Sequence, residues 1–85
     1  MEIELFTQPF CAPCRSAKLV VQRVLEQHPG VPVRTIDVVA DPAAGARARI
    51  ASTPTVRVLQ AGREALRIVG VPRPAALAQA LDELS

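Results

Sequence analysis

Cys11-Ala12-Pro13-Cys14 holds the only two cysteines of this 85-residue chain. A thiolate, not a thiol, attacks a disulfide sulfur, so a pair at this spacing suits thiol–disulfide exchange when one sulfur is accessible and held as an anion. A structural bridge across so short a loop would remove only about 2 kcal/mol of chain entropy in the loop-closure model. Zinc binding is the other use of such a pair, but zinc needs four ligands. The only histidine, His28, falls about 20 Å from Cys14 along a shared helix. A metal or iron–sulfur site shared between two copies is the metal arrangement left open.

The elements around the pair are readable from periodicity. Ile3 to Phe6 is a short apolar run that predicts a buried strand, and Thr7 to Phe10 is the loop that delivers the chain to Cys11. From about Ala12 to Gln27, Ala17, Val20, Val21, Val24 and Leu25 recur at the spacing of one helical face. Arg15 and Lys18, close to the pair, read as part of the solvated face. Cys11 therefore stands at a helix start, where unpaired N–H groups and the positive end of the dipole stabilise an anion. Cys14 lies one turn further in, and Pro13 belongs in the first turn, where its missing N–H costs nothing. Cys11 would attack a substrate disulfide, and Cys14 would resolve the mixed disulfide, with no metal or organic cofactor.

Downstream, His28-Pro29-Gly30 ends the helix, and Val33 to Val39 predicts a second buried strand. A strand, a helix and a strand of these lengths make a right-handed parallel unit. Asp41 reads as an N-cap before Pro42, opening a helix to about Ile50 whose regularity Gly45 weakens. Thr55–Leu59 and Ala65–Val69 predict an antiparallel hairpin around Gln60-Ala61-Gly62-Arg63, and Pro74 starts a last helix carrying Leu77, Ala80, Leu81 and Leu84. The expected order is β-α-β-α-β-β-α, an α/β fold with a four-stranded mixed sheet and helices on both faces.

Hydrophobic content of 49% and charged content of 21% suit one domain with one core over residues 1–85. A net charge of +2, with Phe6 and Phe10 as the only aromatics, gives no footing for nucleic acid. No apolar stretch approaches the roughly 20 residues needed to span a bilayer, so no membrane is expected. Met1-Glu2-Ile3-Glu4 places acids where a secretion signal would be positive, and a cytoplasmic monomer is the expectation. His28 reads as an exposed helix-end residue. The six arginines between Arg47 and Arg73, against the single acid Glu64, read as surface coating.

C-x-x-C between a strand and a helix, with Ser52-Thr53-Pro54-Thr55 before the third strand, resembles the thioredoxin superfamily over nearly the whole chain. Cys11-Ala12-Pro13-Cys14 resembles the thioredoxin active site, and Thr53-Pro54-Thr55 resembles the family's cis-proline loop. Val69-Gly70-Val71 before a final helix resembles a thioredoxin's end. Phe6 through Cys11 looks more like a glutaredoxin. The resemblance implies a dithiol enzyme that reduces protein disulfides, with Cys11 as nucleophile, Cys14 as resolving thiol and Pro54 as the cis-proline. Thr53 would offer its backbone to substrate, and Phe10, Pro13 and Gly70 would complete the contact surface. A flavin-dependent thioredoxin reductase would supply electrons, and family reduction potentials lie near about −270 mV.

The pattern also departs from the family. Phe10 stands where thioredoxins carry tryptophan, and Leu5 stands where they often keep a buried acid. Glu4 and Asp37 are the nearest acids, and the proton-relay role is unassigned. Gln8 and Val71-Pro72-Arg73 replace the residues by which glutaredoxins hold glutathione. A glutathione-dependent enzyme and a non-enzymatic interaction module are the competing expectations.

Overall fold

The computed structural model describes residues 1–85. In chain order the elements are β1 (Glu2–Thr7), α1 (Ala12–Glu26), β2 (Val33–Asp37), α2 (Pro42–Arg47), β3 (Thr55–Gln60), β4 (Arg63–Val69) and α3 (Pro74–Leu84). The sheet runs β2-β1-β3-β4, with β2 parallel to β1 and the other neighbours antiparallel. This is the expected mixed sheet in the expected order. No helix is long and apolar enough to cross a membrane.

Alternation along β1 sorts the packing. Ile3 and Leu5 join Val56 and Val58 on one face, beneath Ala17, Val21 and Val24 of α1 and Leu77 and Leu81 of α3. Phe6 points the other way and packs with Ile36 and Ala48, flanked by Val38, Ala44 and Ile50 around α2. Burying a side chain such as Leu77 contributes about 1.5–3 kcal/mol, so the larger cluster carries most of the apolar stabilisation. Helices thus cover both faces.

Several boundaries differ from the periodic reading, each for a local reason. β2 stops at Asp37 instead of Val39, because the Asp37 carboxylate accepts the N–H groups of Val39 (2.8 Å) and Ala40 (3.2 Å) and turns the chain. It is also an edge strand in which only Ile36 is buried, so the run of β-branched residues marked a strand but not a buried one. α2 ends at Arg47, three residues short of Ile50. Arg49 adopts φ 55°, and the Ile50 and Arg49 N–H groups donate back to Gly45 and Ala46 carbonyls in a Schellman-type stop. Gly45 is needed for packing: a Cβ there would meet Val38 Cγ1 at 3.2 Å. Ala61 and Gly62 form the hairpin turn with φ of 51° and 77°. That is the left-handed pair which matches strand twist.

Two expectations about charge are corrected. His28 is mostly shielded, with its side chain 15% exposed, because α3 packs on α1 and brings Asp82 to 2.7 Å from Nε2. Nδ1 meets the Val24 carbonyl at 3.1 Å. Both ring nitrogens face acceptors, so only the imidazolium satisfies both, and the His28 pKa is raised above its ordinary 6.5, chiefly by the Asp82 bond. The arginines are not all coating. Arg57 donates through Nε (3.0 Å) and Nη2 (2.5 Å) to the buried Glu4 carboxylate, and through Nη1 to Glu64 at 3.2 Å. Arg67 also binds Glu64, and it donates to the Ala48 and Arg49 carbonyls that end α2. The Arg67 pair holds the Glu64 carboxyl below the usual carboxylate range. This chain of charges joins three strands to α2.

Candidate active site

Cys11 is the N-cap of α1, in extended backbone at φ −115° and ψ 101°. A short polar acceptor is what this position selects, because the first helical N–H groups have no partner within the helix. Here the acceptor is sulfur: the Cys14 N–H donates to Cys11 Sγ at 3.2 Å. Pro13 sits in the first turn, which contains no acidic residue, so the positive end of the helix faces Cys11 without a competing carboxylate. The two cysteines are joined in a disulfide with Cα atoms 5.2 Å apart. Both sulfur-bearing residues are largely covered, Cys14 at 4% exposure more than Cys11 at 8%.

Strand register gathers the other residues at the same end of the sheet. Phe6 of β1 pairs with Thr55 of β3, which pairs with Val69 of β4, so the segments Thr7–Cys11, Thr53–Pro54 and Gly70–Val71 leave the sheet side by side. The Thr53–Pro54 peptide is cis, and the Pro54 carbonyl accepts the Gly70 N–H at 2.8 Å. Gly70 has φ 90°, a backbone shape that side chains rarely tolerate. Pro54 is buried and Pro13 exposed. Thr53 makes no backbone hydrogen bond, and its Oγ1 is shielded without a partner.

Phe10 is fully exposed, with φ 57°, while Val69 (65%) and Val71 (44%) are also uncovered. Phe6, the other aromatic, is buried on the α2 side. A depression of about 290 Å³ opens beside the disulfide, walled by Thr7, Gln8, Arg15, Lys18 and Thr35 as well as Phe10 and the cysteines. Its charged residues are both cationic. Arg15 and Lys18 therefore border the site as well as solvent, which their helix-face spacing alone does not reveal. Thr35 carries no signal in the sequence, because it reaches the site only through parallel pairing with Leu5.

Neither acid near the pair in sequence is free to serve it. Glu4 is on the α2 side of the sheet, held by Arg57, whereas Cys14 belongs to the helix covering the opposite face. Asp37 closes the turn after β2. Leu5 is 1% exposed in the main core, so an apolar side chain fills the position beneath the helix. No group of three or more histidine, cysteine or acidic residues is arranged to hold a metal ion.

Comparison with known proteins places this arrangement. The thioredoxin family model matches residues 3–83. Thioredoxin of Methanocaldococcus jannaschii is 33% identical over 82 residues, covering 95% of this chain and 92% of that protein. Among solved structures, thioredoxin 1 of Thermosipho africanus shares the fold with a TM-score of 0.87 at 21% identity, covering 99% of this chain and 93% of that one. Fasciola hepatica thioredoxin superposes nearly as well, with a TM-score of 0.86 at 23% identity over 99% of this chain and 80% of that one. With the family matched over almost its entire length, the chain belongs to the thioredoxins, thiol–disulfide oxidoreductases acting through a cysteine pair of this spacing.

Proposed function

We propose that this thioredoxin reduces disulfides in protein substrates by two-step dithiol exchange. The observation that carries the reading is the Cys11 sulfur at the N-cap of α1, accepting the Cys14 N–H at 3.2 Å. In the reduced protein, that donor and the helix end favour the thiolate of Cys11. Cys11 Sγ attacks one sulfur of the substrate disulfide, forming a mixed disulfide and releasing the other substrate sulfur as a thiolate. Cys14, losing its proton to solvent, then attacks Cys11 Sγ. The second substrate thiolate leaves, and the Cys11–Cys14 disulfide holds the oxidation state that the substrate gave up. Two electrons move, and a flavin-dependent thioredoxin reductase returns them.

The substrate segment lies across Phe10, Pro13 and the Thr53–Pro54 loop, with Gly70 beside it. Thr53 supports this role because its N–H and carbonyl make no backbone bonds within the protein, leaving them to pair with an extended chain. Exposed Phe10, Val69 and Val71 give the same surface an apolar character that suits unfolded or loop-borne disulfides.

The test is reduction of a disulfide-bonded protein such as insulin, driven by a dithiol or by a thioredoxin reductase. Cys11→Ser abolishes turnover, and Cys14→Ser accumulates the mixed disulfide, visible on a non-reducing gel. Sustained glutathione-driven turnover by Cys14→Ser would assign the protein to monothiol chemistry instead. An intact rate in Cys11→Ser would leave only an interaction module.

A further inference from the structure

A second pocket of about 180 Å³ lies on the α2 side of the sheet, lined by Glu4, Arg34, Arg47 and Arg57 together with Phe6, Ile36, Ala44 and Ala48. None of these residues lines the depression beside the disulfide. The charges in and beside it do not cancel. Glu4, Glu64, Arg57 and Arg67 form a network of two acids and two bases, which Arg34 joins only at its outer limit. Every nitrogen of the Arg57 guanidinium is committed to it. Arg34 and Arg47 are the two bases in excess of these two acids. Arg34 comes no nearer an acid than 3.8 Å, to Glu4 Oε2, with a side chain 65% exposed. Arg47 makes no ion pair or side-chain hydrogen bond, although it stands in the last turn of α2. The surplus is therefore two positive charges, one from the edge strand and one from the helix, across the mouth of a recess.

We propose that this recess binds a phosphate dianion, free or as a small monoester, between Arg34 and Arg47. Guanidinium forks match tetrahedral oxyanions with paired N–H donors and remain charged at any working pH. A surplus of two positive charges balances a dianion, whereas a monocarboxylate would leave one charge over. The recess also favours a small ion over an extended acidic partner, since Arg57 and Glu4 sit at its base with aliphatic walls from Ile36, Ala44 and Ala48. The Glu4–Arg57 pair keeps the base polar but neutral, so the ion is held from the rim.

The experiment is a titration of ¹⁵N-labelled protein with inorganic phosphate, ionic strength being held constant with chloride, followed by amide shifts. Saturable shifts confined to Arg34, Ile36 and the Ala44–Ala48 segment are expected. Arg34→Ala with Arg47→Ala weakens the affinity by about tenfold or more, with a dispersed spectrum and an unchanged insulin-reduction rate. Arg47→Gln alone, at an exposed helix position, gives a smaller loss in the same direction and serves if the double variant fails to fold. A parallel titration with glycerol phosphate separates the sources. Tighter binding than inorganic phosphate assigns the recess to monoesters, and equal binding assigns it to the free ion. Shifts that never saturate, that scatter over the surface, or that persist at full affinity in the arginine variants overturn the proposal. So does a glutamate-rich peptide that shifts the same amides at lower concentration than phosphate.

Discussion

Replacing Glu4 by alanine tests the charge network that ties β1, β3 and β4 to α2. Glu4 is 7% exposed and accepts from Arg57 Nε and Nη2 at 3.0 and 2.5 Å. Arg57 is itself 19% exposed and lies 5.6 Å from the centre of the Phe6 ring, so it cannot swing fully into water without uncovering that ring. Hydrogen bonds to charged groups are worth about 1.5–3 kcal/mol each, and removing one partner of a buried ion pair costs about 3–5 kcal/mol. Because Arg57 keeps Glu64 at 3.2 Å, the lower end of that range applies, about 3 kcal/mol. For a domain of this size the loss corresponds to roughly 12–24 °C in Tm. Urea unfolding of Glu4→Ala, Arg57→Ala and the double variant gives the coupling directly, expected at about 1.5–3 kcal/mol. Glu4→Leu with Arg57→Met, which removes both charges, should lie within about 1 kcal/mol of the parent protein. A cost below about 1 kcal/mol for Glu4→Ala, or additive single variants, would refute the claim that this pair holds the α2 face.

Other outcomes follow from the same reasoning. The alkylation rate of reduced Cys11 against pH should be unchanged in Glu4→Gln, because that carboxylate is on the far face of the sheet; a displaced profile would show that Glu4 is coupled to the cysteine pair after all. The folded pKa of His28 is raised, so its ion pair with Asp82 stabilises fully below the ordinary value of 6.5 and fades as pH rises through the folded value. Asp82→Asn should remove that part of the pH dependence of Tm, and a Tm difference from the parent that is constant from pH 5 to 9 would contradict it. Ala61, at φ 51°, should gain about 0.5–1 kcal/mol on replacement by asparagine, read by urea unfolding, because asparagine tolerates the left-handed turn better. Arg67→Met should cost about 1–2 kcal/mol, since it leaves the Ala48 and Arg49 carbonyls without their side-chain donor and Glu64 with Arg57 alone.

The fold was legible in the sequence wherever apolar spacing was regular. Ala17, Val21 and Val24 define the inner face of α1, and Leu77 and Leu81 define that of α3. Asp41 caps α2 as its residue type implies, accepting the Ala44 N–H at 3.1 Å. The position of Cys11 at the helix start was equally readable, because strand, loop and amphipathic helix follow one another without a gap. Less legible were features set by contacts distant along the chain. Nothing local in Val33–Val39 tells an edge strand from a buried one; only sheet order does. Glu4 and Arg57 each interrupt an apolar strand, and that interruption was the available sign of a buried pair. The pairing itself needed the antiparallel register that sets them side by side. The shielding of His28 escapes local reading for the same reason, since Asp82 lies 54 residues away.

The two outer strands bear on how copies of this protein meet one another. An open sheet offers unpaired N–H and C=O groups along both borders, and a flat border invites another molecule to extend it. β2 is only five residues long and carries Arg34, so its border is brief and charged. β4 carries Arg63, Glu64 and Arg67, and its pairing with β3 shifts between Val58 and Leu59, which bends the strand out of a straight template. Neither border presents the long uncharged ribbon that fibril growth requires. Phe10, Val69 and Val71 thus lie exposed at the Cys11 end of a sheet whose two sides are short, charged or bent against pairing with another copy.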